Sequence, residues 1–166
     1  MPLLKHGKFV DNSWVFVADD QDVPADGLLL VSPARWLSDR DALVAREGVG
    51  LLLNGDDNPE IVSADLHRFS TIALDFPTFM DGRSYSNARL LRDQYGYTGE
   101  LRAVGEVLRD QYAFMLSCGF DAFDVPNGDT AEDWRKSASA IRVSYQGGLA
   151  RGAAAMHLRH GEAAGA

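Results

Sequence analysis

Apolar and polar positions alternate along this chain in two rhythms, one of strand period and one of helix period. Lys5-His6-Gly7-Lys8 is a turn signal between Leu3-Leu4 and Phe9-Val10, and Trp14 to Val17 reads as a further short strand. An acidic linker, Ala18 to Asp26, follows this N-terminal β segment of residues 1–18. Gly27 to Val31 is then an apolar run of strand length. Ser32-Pro33 has the form of a helix N-cap with proline at the first helical position. Trp36, Leu37, Leu43 and Val44 fall on one helical face, closed by Gly48.

The same alternation recurs. Val49 to Leu53 is strand-like, and Asn58-Pro59 opens a helix with Val62, Leu66 and Phe69 on its apolar side. Thr71 to Phe76 is a third apolar strand. Asp81-Gly82 turns the chain, and Ser84 is placed to cap a helix carrying Tyr85, Ala88, Leu91 and Tyr95. Gly99 to Val104 is a weaker strand, followed by a helix marked by Leu108, Tyr112, Met115 and Leu116 and ended by Gly119. Phe120 to Val125 is a fifth strand. Thr130 and Asp133 resemble a capping box, with Asp where Glu or Gln is usual, for a helix facing inward through Trp134, Ala138 and Ile141. A last strand is expected over Arg142 to Gln146, and a loose tail over Gly147 to Ala166.

Strand and helix thus alternate five times, which requires a mostly parallel sheet. The expected architecture is one α/β domain over residues 1–146: a short N-terminal β-hairpin, then about five strands with alternating helices. An open doubly wound sheet is favoured. The alternative is part of a β/α barrel, since a full barrel needs eight units.

Composition narrows the partners. The chain has 166 residues, 46% apolar and 24% charged, the size and balance of one globular domain. Its net charge of -8 makes nucleic acid and anionic membranes poor partners. No apolar stretch approaches the ~20 residues needed to cross a bilayer, and no signal peptide pattern opens the chain, so the expected compartment is the cytoplasm. The single cysteine, Cys118, excludes an internal disulfide or a thiolate-ligated cluster within one chain, and it reads as an inert core thiol. His157 and His160 sit three apart in the tail, with Glu162 as the one acidic residue near them. They read as solvated, and no metal site is expected. His67 reads as exposed.

Candidate chemistry follows from the rule that parallel sheets bind ligands beyond the carboxyl ends of their strands. The rule selects Ser32 and Arg35, then Asn54, Asp56 and Asp57, then the loop from Asp75 to Ser86, then Glu106, and last Asp124 and Asn127. The third loop is the richest. Arg83 beside a helix start has the fork geometry to clamp a small oxyanion, with Asp81, Ser84, Tyr85 and Ser86 around it. The plainer reading is a turn, a cap and an ion pair. Asp75, Glu106 and Asp124 could bind a divalent cation or serve as acid and base, while the plainer reading is that they cap loops or pair with arginines. An enzyme acting on a small phosphorylated or carboxylated metabolite would bring Asp75, Arg83, Glu106 and Asp124 into one pocket. No P-loop, dinucleotide fingerprint, nucleophile elbow or zinc-protease motif occurs, and no cofactor is evident.

The residues Leu74-Asp75-Phe76-Pro77, Asp81-Gly82-Arg83-Ser84-Tyr85-Ser86, Ala88-Arg89-Leu90-Leu91-Arg92 and Gly96-Tyr97 resemble a particular bacterial family. So do Gly99-Glu100-Leu101-Arg102-Ala103, Gly105-Glu106-Val107-Leu108, Asp110-Gln111 and Cys118-Gly119-Phe120-Asp121-Ala122-Phe123. Met1-Pro2-Leu3, Trp14, Asp19-Asp20 and Ala34-Arg35-Trp36-Leu37 fit it too, so that the likeness spans most of residues 1–146. That family is a bacterial domain of unknown function associated with sulfite reductase genes, whose members carry the label of an oxidoreductase of sulfite reduction. The resemblance implies a place in assimilatory sulfur metabolism and assigns no catalytic residue. Sulfite reduction moves six electrons through iron–sulfur and haem-type centres, and one cysteine cannot ligate such a cluster. An accessory role is therefore expected, with sulfite reductase or another sulfur-assimilation protein as partner, or a small oxyanion at Arg83. A non-catalytic interaction module or homodimer is the remaining reading.

Overall fold

The computed structural model describes residues 2–140. The expected strand Arg142 to Gln146, the tail and its two histidines lie outside the described residues.

Among the described residues the strands join one eight-stranded sheet in the order β2-β1-β8-β7-β6-β5-β4-β3. The strands are β1 (Leu3–Lys5), β2 (Lys8–Val10), β3 (Trp14–Phe16), β4 (Leu28–Val31), β5 (Val49–Leu53), β6 (Thr71–Phe76), β7 (Glu100–Gly105) and β8 (Ala122–Asp124). From β3 to β8 every pairing is parallel, and β1 is antiparallel to both β2 and β8. The strand count expected from the sequence is corrected upward. The N-terminal segment does not precede the sheet but supplies both of its ends.

The doubly wound expectation is overturned as well. A doubly wound sheet reverses its strand order at a switch point. Here β3 to β8 follow one another without reversal. Right-handed crossovers then place every helix on the same face, which gives the curled half-barrel of the alternative reading. Connectivity requires the curl. Eight strands laid flat would set β2 and β3 about 34 Å apart at ~4.8 Å per strand. The connector Asp11 to Ser13 reaches no more than about 14 Å, so the two edges must approach one another.

Local signals explain the elements. His6 (φ 50) and Gly7 (φ 72) form the two-residue turn of the β1–β2 hairpin, the left-handed pair that suits strand twist. Ser32 caps α1 (Pro33–Ser38) by accepting from Arg35 N, and α2 (Arg40–Val44) follows after a break at Asp39. Asn58 caps Pro59–Arg68, which winds as a 3-10 helix and buries Val62 and Leu66. α3 (Arg83–Arg89) continues into a π-helical turn, Leu90–Gln94. α4 (Tyr112–Cys118) ends at left-handed Gly119. α5 (Ala131–Ala140) begins at the expected capping box, where Thr130 Oγ1 donates to Asp133 Oδ2 at 2.6 Å and accepts from Asp133 N at 3.2 Å.

The core lies between sheet and helices. Leu29, Val31, Leu51, Leu53, Ile72, Leu74, Phe76, Leu101, Ala103 and Phe123 line the helix side and meet Trp36, Leu43, Leu66, Leu91, Met115 and Trp134. The opposite, concave side is filled differently. At Gly50 a Cβ would lie 3.1 Å from Trp14 and 2.5 Å from Thr71 O, so the Trp14 ring packs directly onto the backbone of β5. Arg102 is buried on this side and binds Glu100 and Asn12, and Lys5 binds Glu100 from the other direction.

Candidate functional site

Because β4 to β8 are neighbours in chain order, their trailing loops lie side by side along one rim. Asp75, next to last in β6, is half-buried. Burial pushes its carboxyl above the usual range; a hydrogen bond from Phe76 works against this, and the charge of Asp81 adds to the rise. Gly105 (φ +90) stands opposite, where a Cβ would come within 2.4 Å of Phe76 O and 2.8 Å of Asp75 Oδ1. Glycine therefore lets the end of β7 close onto β6, where Glu106 N donates to Phe76 O at 2.8 Å.

That approach fixes the next loop. Glu106 Oε2 accepts from Phe79 N at 3.1 Å and Gln111 Nε2 donates to Phe79 O at 2.9 Å, so residues from the following loop hold both backbone polar groups of Phe79. The side chains of Phe79 and Met80 remain outside, 46% and 81% exposed.

Arg83 is committed to acids. Its Nε and Nη2 donate to Asp81 at 2.9 and 2.6 Å, its backbone N donates to Asp81 at 3.1 Å, and its Nη1 pairs with Asp56. Hydrogen bonds from Arg83 bring the Asp81 carboxyl down to about 2. The guanidinium thus carries two carboxylates in place of the free fork that an anion would require. Ser84 is not the helix cap, a position taken by Gly82. It is buried and donates to Asp75 O at 2.5 Å, tying α3 to the end of β6. Tyr85 leans on Phe76 and Phe114, with ring centroids 5.0 and 4.9 Å away, and burial pushes its hydroxyl up to about 12. It lines a shallow groove between α3 and α4 with Arg89, Phe114 and Cys118.

Asp124 stands apart from this cluster. Asp75 pairs with Val104 in register, and continuing the β7–β8 register by one residue sets Asp124 on the other side of Val104. The two residues share the concave face, their backbones roughly 10 Å apart across one intervening strand. Burial raises Asp124, Arg102 partly offsets the rise, and Asp124 Oδ1 is buried with no partner among the described residues. The structure therefore brings together Asp75, Asp81, Arg83, Ser84 and Glu106 through one loop, and places Asp124 with the Arg102 group.

The other rim residues have local tasks. Ser32 donates to Asp19 at 2.6 Å. Arg35 pins the acidic linker through Asp19 O and Gln21 O, both at 2.8 Å, and pairs with Asp39. Asn54 N donates to Asp57 Oδ2 at 2.7 Å. Asn127 is exposed, as is His67.

Two buried polar centres escaped the sequence reading. One is Arg102 with Glu100, Lys5 and Asn12. The other is Asp65, which accepts from Trp36 Nε1 at 2.9 Å and from Arg40 at 2.9 and 2.8 Å. For Arg102 the available signal was a charge at the polar position of an otherwise apolar strand. Among the described residues no three His, Cys, Asp or Glu side chains are grouped to hold a metal ion, and no helix is long and apolar enough to cross a membrane.

A family model described as "Bacterial protein of unknown function (DUF934)" matches residues 50–156, from β5 onward, and includes the rim loops from Asp75 to Asp124. Comparison with curated proteins finds no match.

Proposed function

This chain belongs to the DUF934 family of bacterial proteins, and from that premise we propose that it is an accessory protein of assimilatory sulfite reduction that docks a larger partner through the loop after β6. The sulfur context comes from the resemblance of the block from Asp75 to Phe123 described above. The observation that carries the docking role is the state of Phe79 and Met80. Their side chains face outward while Glu106 and Gln111 hold the loop backbone in place. An apolar pair on a braced loop loses little freedom on binding, which favours a protein contact. Phe114, also exposed, extends the surface across the groove beside Tyr85.

The partner in this reading is sulfite reductase or a second protein of sulfur assimilation. The test is co-purification of the full chain with the reductase from the native cell, repeated for Phe79→Ser and Met80→Ser. Loss of the partner in both variants at unchanged melting temperature supports the reading. Equal recovery with all three proteins overturns it.

A small oxyanion at Arg83 is the second reading, and it requires Asp56 or Asp81 to be displaced from the guanidinium. Millimolar sulfite, sulfate or phosphate would then raise the melting temperature of the wild type but not of Arg83→Ala.

A further inference from the structure

Exposed apolar side chains gather along β2 and β3 at Phe9, Val10, Val15 and Phe16, and on the loop at Phe79 and Met80. They also gather at the groove between α3 and α4, where Phe114 is 50% exposed. The charges beside these surfaces differ. Asp11, Asp19, Asp20 and Asp22 flank β3, and Asp81 and Glu106 accompany Phe79. Carboxylates crowded in this way repel a second copy of a chain whose net charge is already -8.

The groove is locally neutral. Its lining holds one charge of each sign, Arg89 at the end of α3 and Asp93 on the π-helical turn that continues it. The two sit four residues apart on one helical face. Neither side chain has an ion pair or hydrogen bond among the described residues, whereas the other arginines of the same helix are spent. Arg83 holds Asp56 and Asp81, and Arg92 holds Asp121 and the carbonyls of Tyr97, Gly99 and Gly119. A half-buried arginine and an aspartate one turn away, both open to the same groove, form a self-complementary pair.

We propose that this face is the contact between two copies of the chain, related by a two-fold axis level with Leu91. Each α3 then runs antiparallel to α3 of the second copy. Arg89 of each copy stands opposite Asp93 of the other, so that two ion pairs form at once, as an isologous interface requires. Leu90, on the wall between them, meets its own counterpart beside the axis, and Phe114 of each copy covers the groove of the other.

The groove is suited to such an anchor. The Phe114 ring already rests on Tyr85 with centroids 4.9 Å apart, so it loses little freedom on docking. The wall at Leu90–Gln94 is a π turn, a rare form concentrated at functional sites. Arg83–Gln94 runs about 18 Å, which is short for the ~800 Å² per partner of a standard interface. The dimer is therefore a reversible one. Phe79 and Met80 do not line the groove and stay open to a larger partner.

Light scattering on the full chain across a concentration series tests the proposal. The wild type should pass from monomer to dimer mass between about 1 µM and about 1 mM. Arg89→Asp and Asp93→Arg should each stay monomeric at unchanged melting temperature, their dissociation constants raised at least about tenfold. An equimolar mixture of the two variants should recover the dimer, because each supplies the charges that the other lacks. A wild type still monomeric at the top of the series, a dimer that survives in either variant, or a mixture that stays monomeric overturns it. Should Arg89→Asp fail to fold, Asp93→Arg and Phe114→Ser are read instead. Loss of the dimer in both supports the contact, and a dimer of wild-type strength in either overturns it. The isolated chain is used throughout, so failure here leaves co-purification with the reductase untouched.

Discussion

Arg102 Nη1 donates a 2.8 Å hydrogen bond to Asn12 Oδ1, ninety residues earlier in the chain, from a side chain that is 2% exposed. Asn12 belongs to the connector that joins the two sheet edges, and Arg102 stands on β7 near the middle of the sheet. The bond therefore spans the concave side and holds the connector over it. Glu100 completes the group, accepting from Arg102 Nε and Nη2 at 3.1 and 2.8 Å and from Lys5 at 2.6 Å.

Removing Arg102 breaks a buried pair and leaves the Glu100 carboxylate with Lys5 alone. Arg102→Met should cost about 3–5 kcal/mol, read as the midpoint shift in denaturant. Asn12→Ala leaves one buried donor unmade and should cost about 1–3 kcal/mol. Because the two residues share one bond, the double variant should lose less than the sum. Additive losses would show that Asn12 does not latch onto Arg102.

Acid should weaken the fold in a defined window. Hydrogen bonds from Arg40 and Trp36 overcome the effect of burial and hold the Asp65 carboxyl at about 2, below its ordinary 3.8. Burial alone would raise Glu100, but hydrogen bonds from Lys5 and Arg102 leave it below its ordinary value of 4.5. A carboxyl lowered by folding adds stability above its unfolded value and loses it as pH falls through the folded one. Melting temperature should therefore drop below about pH 4.5 and keep falling toward pH 2. Asp65→Asn should flatten the lower part of that slope. An unchanged slope would contradict the role given to Asp65.

Gly50 tests the filling of the concave side. Its place between Trp14 and Thr71 O leaves no room for a methyl group. Gly50→Val should destabilise by about 1–3 kcal/mol through overpacking, and Trp14 fluorescence should shift toward the red as the ring is pushed outward. A stability-neutral Gly50→Val with unchanged fluorescence would argue that the ring does not cover β5.

Cys118 offers a simple kinetic measure of packing. It is 1% exposed at the end of α4. A soluble disulfide reagent should label it only as fast as the protein opens, and immediately in denaturant. Rapid labelling of the native protein would show that the α3–α4 groove opens down to the core.

Much of the secondary structure is legible in the residue order because its causes are local. The hairpin turn at His6-Gly7, the Ser32 and Asn58 caps, the Gly119 terminus and the Thr130–Asp133 box each act within a few residues, and all stand where the pattern places them. The rim positions of Asp75 and Asp124 also follow from strand ends alone. An ion pair at Arg83 was the plainer of the two readings the residues allowed, and only the structure chose it and named both acids, whereas the task of Ser84 was not legible. A turn arginine reads the same whether its fork is empty or holds Asp56 from another loop, and a serine at a helix start reads as a cap until the helix docks and turns it to Asp75 O.

The order of apolar, polar and turn residues determined by itself that this chain makes parallel strands separated by helices, because periodicity and capping are properties of neighbouring residues. Only the tertiary structure decided that the sheet curls, that its N-terminal strands form both edges, and that Arg102 is buried among Glu100, Lys5 and Asn12. Curvature arises from closing contacts between residues far apart in the chain, and the same residues in a flat sheet would leave that charged group in water.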